Sequence, residues 1–191
     1  KVLINLEAAD ERPAQEERAR WAQRINNCCR ISYVTGTAAE RDIAALDEAI
    51  DGAFDEVEAR LGVIATDKPV SIVLLDNVWG NGAYVSGDVV ISYVDRAYTS
   101  LDLETTLRHE AAHWTMRSVG APETPALLSE GVAVYAAGGH FKPTPLPERA
   151  AALLDSGLYV PLADLADGFW AHQHETAYLE AAGLVAYLVE T

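Results

Sequence analysis

Between Thr37 and Leu61 the apolar residues Ile43, Leu46, Ile50, Phe54, Val57 and Leu61 recur at steps of three and four, with Asp, Glu and Arg between them. That period is the turn of an α-helix, so the segment predicts an amphipathic helix, which Gly62 ends. The run PVSIVLLDN, Pro69 to Asn77, has branched apolar residues in sequence and no polar face, which predicts a strand buried on both sides. Two shorter strands follow, Gly82 to Ser86 and Val89 to Val94, about a turn at Gly87-Asp88. CRISYV, Cys29 to Val34, reads as another short buried strand. Ahead of it, Trp21 and Ile25 share a helical face after Pro13 and predict a leading helix or arm.

Downstream the pattern is helical only. TSLD, Thr99 to Asp102, predicts a capping box opening a helix that ends at Gly120. Thr124 as N-cap, Pro125 at the first helical position and Gly138-Gly139 as a stop predict a second helix over ALLSEGVAVYAA. The proline-rich FKPTPLPE, Phe141 to Glu148, predicts a surface connection, then a short helix from about Glu148 to Leu154 and a turn at Ser156-Gly157. A last helix begins at about Glu175. Strands mixed with one long helix, then helices alone, predict an α+β fold with a sheet lobe and a helical lobe. The expected organisation is an N-terminal arm or helix over 1–28 and one domain over 29–191, its sheet lobe at about 29–98 and its helical lobe at about 99–191.

Composition narrows the function. The formal charge is −15, from 14 basic and 29 acidic residues, which disfavours a nucleic-acid surface and suits basic or neutral substrates. No apolar run reaches the roughly 18 to 20 residues needed to cross a bilayer, so a membrane span is not expected. The chain starts at Lys1 without a signal-type pattern, which leaves room for a removed leader or anchor. Cys28 and Cys29 are adjacent and therefore poorly placed to bridge each other, and they read as buried packing residues.

The sharpest chemical signal is LRHEAAHW, Leu107 to Trp114. On a helix, positions four apart lie about 40° from each other, so His109 and His113 project side by side and can grip one ion. Glu110 lies about 100° round from His109, too far to join the same chelate easily but adjacent to a water held on that ion. Glu130, set in LLSEGVAVY on the next predicted helix, returns alongside the pair if the two helices form a hairpin. Leu127, Leu128, Val132 and Val134 surround it in sequence, and a buried carboxylate needs a cation or donors. Two histidines, a glutamate and an open position for water form the pattern of a catalytic zinc site holding one ion.

His109-Glu110-Ala111-Ala112-His113, followed by Leu128 to Tyr135, resembles the gluzincin metallopeptidases, especially the compact peptidase MA-like domains of bacteria. AYLEAAGLVAYLVE, Ala177 to Glu190, is similar to the terminal helix of that group. The resemblance implies a zincin-like fold: a small mixed β-sheet lobe packed on a helical lobe, with the active-site helix between them. It implies Zn²⁺ on His109, His113 and Glu130, Glu110 as general base, and Gly82, Ala83 and Tyr84 on the edge strand that pairs with extended substrate. It also implies an exported bacterial protein acting on a peptide or protein. Leu127 stands where aminopeptidase-type relatives carry tryptophan, and NGAYVSG has no evident motif for a free amino terminus, which favours an endopeptidase.

The expected mechanism is attack of an activated water on a peptide carbonyl, with Glu110 shuttling the proton. An extra donor to the oxyanion comes from Tyr178, His172 or His174, and the resemblance favours Tyr178. His172 and His174 are poorly spaced for a metal pair of their own. His140 reads as a surface turn residue, Tyr135 as core packing, and Trp79 and Trp114 as either cleft or core. Two other readings stay open. One is a metal-dependent hydrolase of a non-peptide substrate, and the other a zinc-retaining binding or scaffold module without turnover.

Overall fold

The computed structural model describes residues 20–66, 68–76, 82–93, 102–121, 124–140, 142 and 144–191. They form two compact units, one within Lys1–Asp51 and Lys68–Ala97, the other within Gly52–Asp67 and Tyr98–Thr191.

The first unit is built on a five-stranded mixed sheet of order β1-β2-β3-β5-β4. Its strands are β1 (Trp21–Ile25), β2 (Cys29–Val34), β3 (Val70–Leu75), β4 (Ala83–Ser86) and β5 (Asp88–Ser92). β2 and β3 are parallel, and so need a crossover, which helix α1 (Ala38–Leu61) supplies. β3 and β5 are also parallel, while the outer pairs β1/β2 and β4/β5 are antiparallel. β3 is central, and Val70, Ile72, Val73 and Leu74 are buried, as a continuous apolar run demands. The β4/β5 connection turns at Gly87, whose φ of 71° suits a residue without a Cβ. On α1 the predicted stripe faces inward at Leu46, Ile50, Phe54 and Val57.

Two sequence expectations fail here. Trp21–Ile25 is a strand paired with β2, not a helix face. Ile25 is 65 % exposed, so the four-residue spacing from Trp21 marks no buried stripe, and backbone pairing across the hairpin prevails over local periodicity. Pro13 lies outside the described residues. Cys28 and Cys29 are both buried, but they are bonded to one another (S–S 2.01 Å) rather than being separate thiols. Cys28 sits in the turn before β2, where Asn26 Oδ1 accepts the backbone N–H of both cysteines, so strand alternation does not separate their side chains.

The second unit is helical. Its helices are α2 (Leu103–Ser118), α3 (Ala126–Ala137), α4 (Leu146–Ser156), α5 (Leu162–Gly168) and α6 (His174–Glu190), with a 3₁₀ turn at Phe169–Ala171. Asp102 caps α2, accepting from Thr105 N at 2.6 Å, one of the donors that a helix start leaves unmet. Thr99 lies outside the described residues. Pro125 is the N-cap of α3, one residue later than expected, and the Thr124 hydroxyl donates to Ala121 O instead of capping. Gly138 ends α3 in the left-handed region, and Gly157 does the same for α4. The sequence reading contains neither α5 nor the 3₁₀ turn, although Leu165 and Phe169 carry part of the core with Leu127, Val134, Tyr178 and Ala181. No helix among the described residues is long and apolar enough to cross a membrane.

Candidate metal centre

α2 and α3 form the hairpin that the histidine pair requires. His109 Nε2 and His113 Nε2 lie 3.1 Å apart, and Glu130 Oε2 lies 3.2 Å from the first and 3.3 Å from the second. The three donors make a nearly equilateral triangle. Donors on a tetrahedral zinc ion with bonds of about 2.0–2.1 Å are separated by about 3.3 Å, so these side chains fit such an ion with almost no rearrangement. Their burial suits it as well: the Glu130 side chain is 12 % exposed and both imidazoles 17 %. Of the apolar residues flanking Glu130 in sequence, Leu127 and Val134 are fully buried, while Leu128 and Val132 are half-buried.

The electrostatics follow from that burial. Desolvation pushes the Glu130 carboxyl up, but hydrogen bonds and charge from His109 and His113 outweigh it and hold the group at about 2. Burial opposes charging of His113, yet the Glu130 and Glu110 carboxylates beside it raise its pKa above the ordinary value. Glu110 is 7 % exposed and offers no atom to the triangle. Desolvation raises its pKa, against the pull of His109 and His113. The Ser129 hydroxyl is 3.5 Å from His113 Nδ1, a long contact on the ring nitrogen away from Glu130.

Gly131, next to Glu130, explains how α6 reaches this site. A Cβ there would lie 2.6 Å from Ala181 O and 2.9 Å from Val185 Cγ2, so only glycine lets α6 approach α3 this closely. The approach brings Tyr178 in. Its ring stacks 6.2 Å from that of His109, and burial together with the Glu130 charge raises its pKa.

Of the other candidates, His174 stacks on Tyr178 at 4.1 Å, whereas His172 is occupied with Asp164 O at 3.2 Å. His140 corrects the reading as a surface turn residue: it is 7 % exposed. The turn after α3 folds its ring against Tyr178 at 4.9 Å and against Glu175 Oε2 at 3.0 Å through Nδ1. Burial, then the nearby His174, lowers its pKa to about 3. Local spacing carries no signal of this, because the partners of His140 are on α6. Tyr135 is half-buried, and its carbonyl accepts from Arg60. Trp114 is half-buried on α2, and Trp79 lies outside the described residues. Gly82, Ala83 and Tyr84 belong to the first unit, with Ala83 and Tyr84 on the outer strand β4, and none joins the residue groups described here.

Comparison with models of known families, with curated proteins and with solved structures finds no match for the chain.

Proposed function

We propose that the chain is a zinc-dependent peptidase of gluzincin kind on a zincin-like fold, acting as an endopeptidase. The observation that carries this reading is the triangle of His109, His113 and Glu130 donors with the buried carboxyl of Glu110 one residue from its first member. When bound on those three side chains, zinc would supply activation of a water and polarisation of a substrate carbonyl. Glu110 takes the proton of the attacking water on its carboxylate and returns it to the leaving amine nitrogen. Its raised pKa brings it closer to neutrality, where both transfers are efficient. Tyr178 stays protonated over the working range, so its hydroxyl serves as a donor where negative charge develops on the carbonyl oxygen. The acidic chain, at −15, suits basic or neutral peptides.

The test is digestion of a mixed peptide library, read by mass spectrometry. Cleavage is expected, abolished by a chelator and lowered about 10²- to 10⁴-fold by Glu110→Gln with zinc affinity retained. Tight zinc binding without cleavage would transfer the site to a binding module. Hydrolysis of esters or phosphates alone would transfer it to another hydrolase. Failure to take up zinc would overturn all three.

A further inference from the structure

A second set of side chains with possible metal-ligating donors lies against Tyr178. His140, on the turn after α3, and His174 and Glu175, in the first turn of α6, each offer a donor atom within 4.8 Å of the others. His140 Nδ1–H donates to Glu175 Oε2 across 3.0 Å. The other carboxylate oxygen, Oε1, accepts from Arg149 Nη2, and Arg149 also donates to the backbone carbonyl of His140. The carboxylate is thereby fixed in direction, with Oε2 turned toward the imidazole. His174 is exposed, stacks on the His140 ring at 5.4 Å, and gives the cluster its access to solvent.

We propose that His140, His174 and Glu175 form a second site for a divalent transition-metal ion of the zinc class, weaker than the site on His109, His113 and Glu130. Two imidazoles and one carboxylate are borderline donors, which select zinc, copper or nickel over the oxygen-seeking calcium and magnesium. A separation of 3.0 Å between Nδ1 and Oε2 is that of a hydrogen bond, and it is also close to that of two neighbouring ligands on one ion. On binding, the ion displaces the Nδ1 proton, which passes through solvent to Nε2 so that the ring stays neutral, and Nδ1 and Oε2 both turn their lone pairs to the metal. Arg149 stays on Oε1 as an outer partner of the carboxylate, limits it to one ligating oxygen and draws off part of its charge.

The order of affinities follows from geometry. In the first site all three donor separations are 3.1 to 3.3 Å and the side chains are largely buried, whereas here the 3.0 Å pair of His140 and Glu175 is joined by an exposed His174. Ordering an exposed side chain, together with the Arg149 charge, weakens the second site. The Tyr178 ring packs against both histidines and also stacks on His109, so loading the second site tightens the packing around a residue that touches the first.

The experiment is a zinc titration of the untagged full chain, stripped by chelator and kept free of reductant, against the chromophoric competitor 4-(2-pyridylazo)resorcinol. Two equivalents are expected, the second at least about tenfold weaker than the first, by the preorganisation argument. His174→Ala, a surface change, should lose the weak equivalent only. His113→Ala should lose the tight one and keep the weak one. One equivalent in the wild type and none in His113→Ala would overturn this proposal while leaving the first metal site standing. Two equivalents in both the wild type and His174→Ala would also overturn it. No uptake by the wild type would overturn both sites.

Discussion

The contact between Gly131 and α6 yields a quantitative prediction about what holds the candidate centre together. In Gly131→Ala the new Cβ falls 2.6 Å from Ala181 O, 2.9 Å from Ala181 C and 2.9 Å from Val185 Cγ2. An ordinary carbon–oxygen contact is about 3.3 Å or more, so α6 must recede by about 0.7 Å. Alanine gains about 1 kcal/mol of helix propensity, but overpacking costs about 1–3 kcal/mol, and because the obstacle here is backbone, which cannot rotate aside, the upper part of that range, about 2–3 kcal/mol, applies. The net loss is about 1–2 kcal/mol, or about 2–8 °C in melting temperature for a chain of this size. Gly52, inside α1, is the control: a Cβ there meets nothing within 4 Å, so Gly52→Ala should gain about 0.5–1 kcal/mol. Gly183, where a Cβ would lie 3.1 Å from Ala150 Cβ, should fall between them. Thermal unfolding followed by circular dichroism, in chelator at one pH, measures all three. A melting temperature for Gly131→Ala at or above the wild type, with Gly52→Ala raised as expected, would refute the packing argument. Zinc affinity should change little in Gly131→Ala, because the donors lie on α2 and α3 and the displaced helix carries Tyr178.

The depressed pKa of Glu130 contributes stability to the metal-free protein above the ordinary value of 4.5, lost as pH falls through about 2. The raised pKa of His113 contributes below 6.5 and is lost as pH rises through its folded value, so denaturation midpoints should decline toward both ends and Glu130→Gln should flatten both limbs. Asp102→Ala removes the cap of the helix bearing both histidines and should cost about 1 kcal/mol in urea denaturation. Tyr178→Phe should lower kcat/KM about 10²- to 10³-fold with zinc affinity unchanged; full activity in this variant would remove the hydroxyl from the mechanism.

The chain by itself determined the elements whose signal is local. A three-and-four period makes α1, an unbroken branched run makes β3, and Gly87, Gly138 and Gly157 mark their turns because few other residues tolerate a positive φ. The spacing of His109 and His113 is equally local, since one helical turn fixes their mutual direction wherever the helix goes. Glu130 was legible for a related reason, being one short hairpin away, although only packing of α3 on α2 set its oxygen 3.2 to 3.3 Å from both rings. Tertiary structure alone decided the rest. β1 is a strand because β2 lies beside it, against a helical spacing of Trp21 and Ile25 that leaves Ile25 exposed. Cys28 and Cys29 are joined because a turn stabilised by Asn26 keeps Cys28 outside the strand that Cys29 begins. His140 is a buried neighbour of Tyr178 because the chain returns as α6, 35 residues from His140 at Glu175, and no pattern within a helix or strand spans that distance. Sequence periodicity encodes which face of an element is apolar, whereas the approach of two faces depends on every side chain between them, and at Gly131 on the absence of one.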